Sequence, residues 1–353
     1  MGAFCIEICK KDGQTVRFNY IIDIDCFVFG GDRMIGNDID FSNVENEKLL
    51  IVKLPNRLVF DVHFLIQMDY LVKRAIDINR INTVRVVCPE IINYDNMCKA
   101  YIINVLTYIN KFPNKRVYIN SIFKSRIQNQ VITKEGKDFN KDSDLDELIR
   151  NQELEYYMFN GKEDTSGAIN HVSSLLVNSM FSFNPDKLKD FLNTTIGEIF
   201  SNSRNHSDQQ EVFFASFVDL FINGDIFLTV SIIDYGKTIV NNVREYLDKE
   251  SISGAECIDW AIKPANTTRT GSGGYGLPTL IDYMKAAKGD LYIFSGDAFY
   301  LLLNGESERT FDVQDGVFFG TSVAFKVKLN QNSFIINYDD ENRKIDSISL
   351  SDI

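Results

Sequence analysis

Polar side chains with the means to hold a metal or a phosphate stand in an otherwise apolar pattern at Glu198-Ile-Phe-Ser-Asn202-Ser-Arg-Asn-His206. At about 100° per residue, Leu188, Phe191, Leu192, Ile196, Ile199 and Phe200 make one apolar arc of a helix. Glu198, Asn202 and His206 follow its edge at i, i+4 and i+8, with Asn202 and His206 inside the arc. Buried there without a partner, an amide or imidazole costs on the order of 1–3 kcal/mol. Such side chains are therefore either paired in place or line a cavity, and this segment alone leaves both open.

Two further stretches carry chemistry. Ser231-Ile-Ile-Asp234-Tyr-Gly236-Lys-Thr238 is an apolar strand ending in a carboxylate and a glycine. Its Gly-Lys-Thr close matches the end of a P-loop, but the glycine needed five positions before the last one is Ser231, so that cradle is excluded. Arg269-Thr-Gly271-Ser-Gly273-Gly274-Tyr275-Gly276-Leu277-Pro278 is the densest glycine cluster. Gly271, Gly273 and Gly276 satisfy GxGxxG literally. The residues before them, Lys263-Pro-Ala-Asn-Thr-Thr-Arg-Thr, are no buried strand, and a dinucleotide fold is excluded with them. A loop running into a helix remains, with Pro278 near the first turn and Gly289 after the last, aiming backbone N–H groups at an anion.

With Gly320-Thr321 at the head of the last strand, these stretches stand in the order and spacing of the nucleotide site of the GHKL ATPases, the family of gyrase, heat-shock protein 90, histidine kinases and mismatch-repair ATPases. Over about residues 180–330, Glu198 to His206 resembles the N box, Asp234-Tyr-Gly236 the first glycine box, Gly274-Tyr-Gly-Leu277 the second and Gly320-Thr321 the last. The resemblance implies ATP and Mg²⁺. Asn202 would hold the ion through its amide oxygen. Glu198 would activate the group attacking the γ-phosphate, and Asp234, supported by Thr321, would accept from the adenine amino group. His206, Gly236, Gly273, Gly274, Tyr275, Gly276 and Leu277 would surround the nucleotide, with Lys263 and Arg269 balancing phosphate charge. One position departs from the pattern: the second glycine of the first box is Thr238, which implies a lid that hinges elsewhere or moves less.

His171, followed by Val-Ser-Ser, and His63, followed by Phe-Leu-Ile, lack the acidic neighbour of a phosphoacceptor histidine. The resemblance is accordingly closer to the anti-sigma-factor serine kinases and hydrolytic members. It implies a slow ATPase or a protein serine/threonine kinase. The alternative is a non-catalytic switch that binds ATP and changes partners; Glu198 favours turnover, because binding alone has no use for it.

The elements that must position these residues fall into two modules. Strand patterns at Leu49–Leu54, Thr83–Cys88 and Arg116–Asn120 alternate with helix patterns at 61–79 and 94–108, which predicts a parallel α/β sheet. In strand and helix order, residues 45–125 resemble a STAS domain, the fold of anti-sigma-factor antagonists. The turn Pro89-Glu-Ile-Ile-Asn-Tyr-Asp-Asn96 offers no Ser or Thr for a phosphoswitch, leaving a scaffold or docking role for a protein partner. After a helix at about 185–202, strands at 211–217, 226–233, 291–294, 299–303 and 321–329 predict an α+β sandwich. The expected organisation is α/β plus α+β: a STAS-like domain over 1–125, a linker or connecting helix over 126–165, a GHKL ATP-binding domain over 166–330 and a polar, solvated tail over 331–353.

Composition bounds the rest. The 353 residues carry 37 Lys and Arg against 49 Asp and Glu, a net charge of −12, which argues against a nucleic-acid partner or an anionic membrane. No apolar run approaches the roughly 20 residues of a membrane span, so the expected setting is cytoplasmic. Six cysteines without CxxC spacing and three histidines predict buried thiols and no structural zinc. A parallel-sheet module without evident chemistry of its own also raises the expectation of a homodimer.

Overall fold

A computed structural model describes residues 4–9, 15–20, 39–44, 48–77, 81–89, 93–120, 142–144, 157–160, 196–197, 199–200, 202–203, 211–220, 226–268, 274–313, 318–328, 335–337 and 346–348. The chain is mixed α/β, with mixed and antiparallel sheets.

The first sheet runs β1 (Asp40–Val44), β2 (Leu49–Lys53), β3 (Thr83–Val87), β4 (Arg116–Asn120), β5 (Asp142–Asp144) in spatial order. Its middle three strands are parallel, and both edge pairings are antiparallel. Parallel neighbours need crossovers, supplied by α1 (Val62–Asp77) and α2 (Asn96–Asn110). Asp61 starts α1 by accepting from the Phe64 N–H at 2.8 Å, and Asp95 starts α2 by accepting from the Met97 N–H at 2.8 Å.

Every residue of α2 except Tyr108 and Asn110 is buried. Met97, Ala100, Ile102, Ile103, Val105, Leu106 and Ile109 lie all round its axis, and the polar Asn96, Lys99, Asn104 and Thr107 are buried with them, as in a helix covered on all sides. One side is covered by its own module and the other by the second sheet.

That sheet has the order β6 (Tyr157–Asn160), β7 (Glu211–Leu220), β8 (Ile226–Asp234), β12 (Phe318–Lys328), β9 (Asp290–Gly296), β10 (Ala298–Leu303), β11 (Ser307–Asp312), all neighbours antiparallel. Because side chains alternate along a strand, Val212 and Phe214 of β7 and Val230 and Ile232 of β8 share a core with α3 (Ile239–Leu247), α4 (Gly254–Ala261) and α5 (Gly276–Ala286). The intervening Phe213, Ala215, Phe217 and Ile233 join the core of the first module. Apolar side chains buried in this way stabilise by roughly 1.5–3 kcal/mol each, so the sheet is a wall between two cores. Polar links tie α2 to it as well. The Asn104 amide donates from α2 to the Ser231 carbonyl at 3.1 Å and to its hydroxyl at 3.2 Å, and Lys326 pairs with Asp95 at 3.3 Å. The ring of Tyr108 lies flat on that of Tyr235, centroids 3.5 Å apart and planes 9° from parallel.

Residues 126–165, expected as a linker or connecting helix, supply β5 to the first sheet and β6 to the edge of the second. The stretch from Gln331, expected as a solvated end, pairs Ile335–Asn337 with Asp346–Ile348. Phe4–Cys9 pairs with Thr15–Tyr20 in another hairpin. Most of the helix expected at about 185–202 lies outside the described residues; helical backbone is present at 196–197, 199–200 and 202–203. Cys88, Cys98 and Cys257 are buried free thiols. Among the described residues, no helix is long and apolar enough to cross a membrane.

Candidate functional site

Strand β8 ends on a carboxylate that alternation turns toward α3, α4 and α5. Asp234 is 2% exposed. Its Oδ1 accepts from the Gly236 N–H at 3.1 Å, and the Ser203 hydroxyl and Thr321 backbone also donate to it. Burial pushes its pKa up to about 6, and these three hydrogen bonds, which favour the ionised form, oppose the shift. Thr321 faces Asp234 across the β8–β12 register.

Gly320, just before Thr321, has φ +150°, and a Cβ there would lie 1.9 Å from the Asp234 carbonyl oxygen. Only glycine permits so close an approach. Beneath it, the fully buried Ser295 hydroxyl accepts from the Ile239 N–H at 2.8 Å, donates to the Gly320 carbonyl at 3.1 Å and lies 2.8 Å from the Thr321 hydroxyl. One side chain thus ties the start of α3 to the two residues beside the carboxylate.

The other rim is built from helix ends. Thr238, which stands where a second glycine was expected, is the N-cap of α3 and accepts from the Asn241 N–H at 3.0 Å. A β-branched hydroxyl fits that extended cap position, whereas a glycine would leave the helix uncapped by a side chain. Helix α4 opens on a capping box, Ser253 with Glu256. After α4 the chain turns, and the Asn266 amide donates to the Trp260 carbonyl at 2.7 Å. Gly274, at φ +81°, passes so close that a Cβ would lie 2.2 Å from the Asn266 carbonyl oxygen. It leads through Tyr275 into α5, whose N-terminus has no side-chain cap and no acidic residue in its first turn. The orphan N–H groups and positive dipole end of such a helix favour an anion.

Between these rims lies a pocket that is partly open to solvent. Of the residues singled out in the sequence, Asn202, Asp234, Gly274, Gly276, Leu277 and Thr321 line it. Gly236 braces Asp234, and Tyr275 is the half-buried cap residue of α5. Lys263 is not brought to the pocket. It follows the end of α4 in an exposed turn and lines a separate hollow with Pro264, Asp282 and Lys285, so the phosphate-balancing role expected of it has no support from its position. Glu198, His206, Arg269 and Gly273 lie outside the described residues.

Among the described residues, Lys237 is the cation that lines the pocket, ion-paired with Glu245 of α3. Its Gly-Lys-Thr setting is conspicuous in the sequence, but rejection of a P-loop there hides the lysine's place beside Asp234. Trp260, Asn266 and Ser203 also line the pocket, and no spacing rule points to them. Asn202 is a hard oxygen donor, and among the described residues no three His, Cys, Asp or Glu side chains come together as a metal site. That donor set suits a Mg²⁺ ion held by one protein oxygen, with phosphate and water completing the shell. No protein-family model matches the chain, and no curated protein matches it.

Proposed function

We propose that residues 166–330 form a GHKL-type ATP-binding domain, joined to a STAS-like module that contacts protein partners, and that the pair works as a slow ATPase or a protein serine/threonine kinase. The observation that carries this reading is the buried Asp234, braced by Gly236 and Thr321 on the floor of a pocket whose opposite rim is an uncapped helix N-terminus. A carboxylate that only accepts suits the amino group of adenine and repels the carbonyl of guanine. The N-terminus of α5 and Lys237 suit the phosphates. Asn202 would hold Mg²⁺, which when bound would neutralise triphosphate charge. Glu198, one helical turn before Asn202, would orient and deprotonate the attacking water or hydroxyl.

Incubation with γ-labelled ATP, alone and with lysate of the source cell, tests the reading. Label is expected as free phosphate or on a serine or threonine of another protein. ATP binding without any transfer selects the non-catalytic switch instead, and absence of ATP binding removes the GHKL reading. Glu198→Ala should keep Mg-ATP affinity and lose turnover, whereas Asn202→Ala should lose the Mg²⁺ dependence of nucleotide binding; calorimetry beside phosphate release separates the two.

A further inference from the structure

We infer that α2 forms the back wall of the nucleotide site, with Tyr108 acting as a positioning residue for Asp234 through the ring of Tyr235, so that the first module sets how tightly and how selectively adenine is held. This rests on the reading of Asp234 as the base-recognising group.

Asp234 and Tyr235 are consecutive, so the backbone that sends the carboxylate toward the pocket sends the tyrosine ring toward α2. There Tyr108 stacks on it, with Phe213 edge-on at 5.9 Å and Phe318 at 5.8 Å completing its seat. Asn104, one turn earlier on α2, holds β8 at Ser231 through two hydrogen bonds and is itself fully buried. The turn bearing Asp234 and Gly236 is therefore gripped by one helix both before and after the carboxylate.

The grip is transmitted in two steps. The bond from the Gly236 N–H to Asp234 is 3.1 Å long, near the upper end of the range of about 2.7–3.2 Å of such bonds, so further separation takes it out of that range. A shift of Tyr235 moves both ends of that bond, since its backbone joins them. Phe318, the other wall of the seat, lies two residues before Gly320, whose close approach to the Asp234 carbonyl leaves no slack on the opposite strand. A displacement of α2 by something bound to the first module thus reaches the pocket floor, and by linkage a nucleotide bound there acts back on α2.

Calorimetric titration of the full chain with Mg-ATP, Mg-GTP and inorganic tripolyphosphate, comparing the parent with Tyr108→Phe and Tyr108→Leu, tests this. Phe keeps the flat ring and should bind as the parent does. Leu keeps apolar bulk without the stack; it should lose about fivefold or more in ATP affinity, at the lower end of usual coupling, and narrow the ATP-to-GTP ratio. Its affinity for tripolyphosphate should not change. A merely structural role for Tyr108 would lower the melting temperature and leave the ratio intact. Tyr108→Met, which fills the gap flexibly, gives the same comparison where the Leu variant does not fold. A folded Leu or Met variant with the parent's ATP affinity and ratio overturns the inference and leaves the reading of Asp234 standing. A parent chain that binds no nucleotide overturns both.

Discussion

A carboxyl with its pKa near 6 at the base of a pocket makes recognition depend on pH in a definite direction. Ionised, Asp234 only accepts and does so more strongly than the protonated carboxyl, which also presents an O–H, so adenine affinity should rise as pH climbs through about 6. Its contribution to stability of the ligand-free protein has the opposite sign. A carboxyl raised from 3.8 is most favourable below that value, and this favour is lost as pH rises through the folded value of about 6. Asp234→Asn should weaken ATP binding about tenfold, the scale of one hydrogen bond to a charged group, and relax the preference over GTP. It should also remove the pH step, a comparison made on the same nucleotide so that phosphate titration cancels. Lys237→Met should lower affinity for ATP severalfold and leave adenosine unaffected, because its charge sits with the phosphates in this reading; titrations with both ligands check it. At this scale the sequence was legible wherever a residue type is demanded by chemistry. Asp234, Asn202 and Thr321 could be picked out, and they meet in one pocket. Ser295 could not, because a serine at the end of an apolar strand carries no signal of the three contacts it makes.

Elements were legible where at least one face is apolar and illegible where none is. The core strands Leu49–Lys53, Thr83–Val87 and Arg116–Asn120 lie within a residue of their expected bounds. Strand β11, Ser-Glu-Arg-Thr-Phe-Asp, escaped because an exposed edge strand need not alternate. Helix α2 was expected only as a helix alternating with the parallel strands; the second sheet's part in burying it shows only in three dimensions. The pairing of β8 with β12 gives a prediction of its own. Gly320→Ala would place a methyl group against the Asp234 carbonyl, so the strands must part locally. The expected cost is about 2 kcal/mol or more by urea denaturation, with ATP affinity lost in step because the same movement displaces the carboxylate.

For the whole molecule, the boundary between modules visible in the sequence is not a boundary in the core. Phe213, Phe217, Ile233 and Phe294 of the second sheet pack with residues of α1 and α2, so the two halves should melt in one cooperative transition by calorimetry. Residues 166–330 expressed alone should be poorly soluble, with that apolar face bared; two resolved transitions, or a well-behaved fragment, would contradict the shared core. The same arrangement bears on synthesis. At ~5–20 residues per second, α2 leaves the ribosome roughly 10 seconds before β8 arrives to cover it. During that interval a helix buried on both sides in the folded chain has only half its cover, so a slowing of translation between residues 110 and 234 should lower the yield of folded protein.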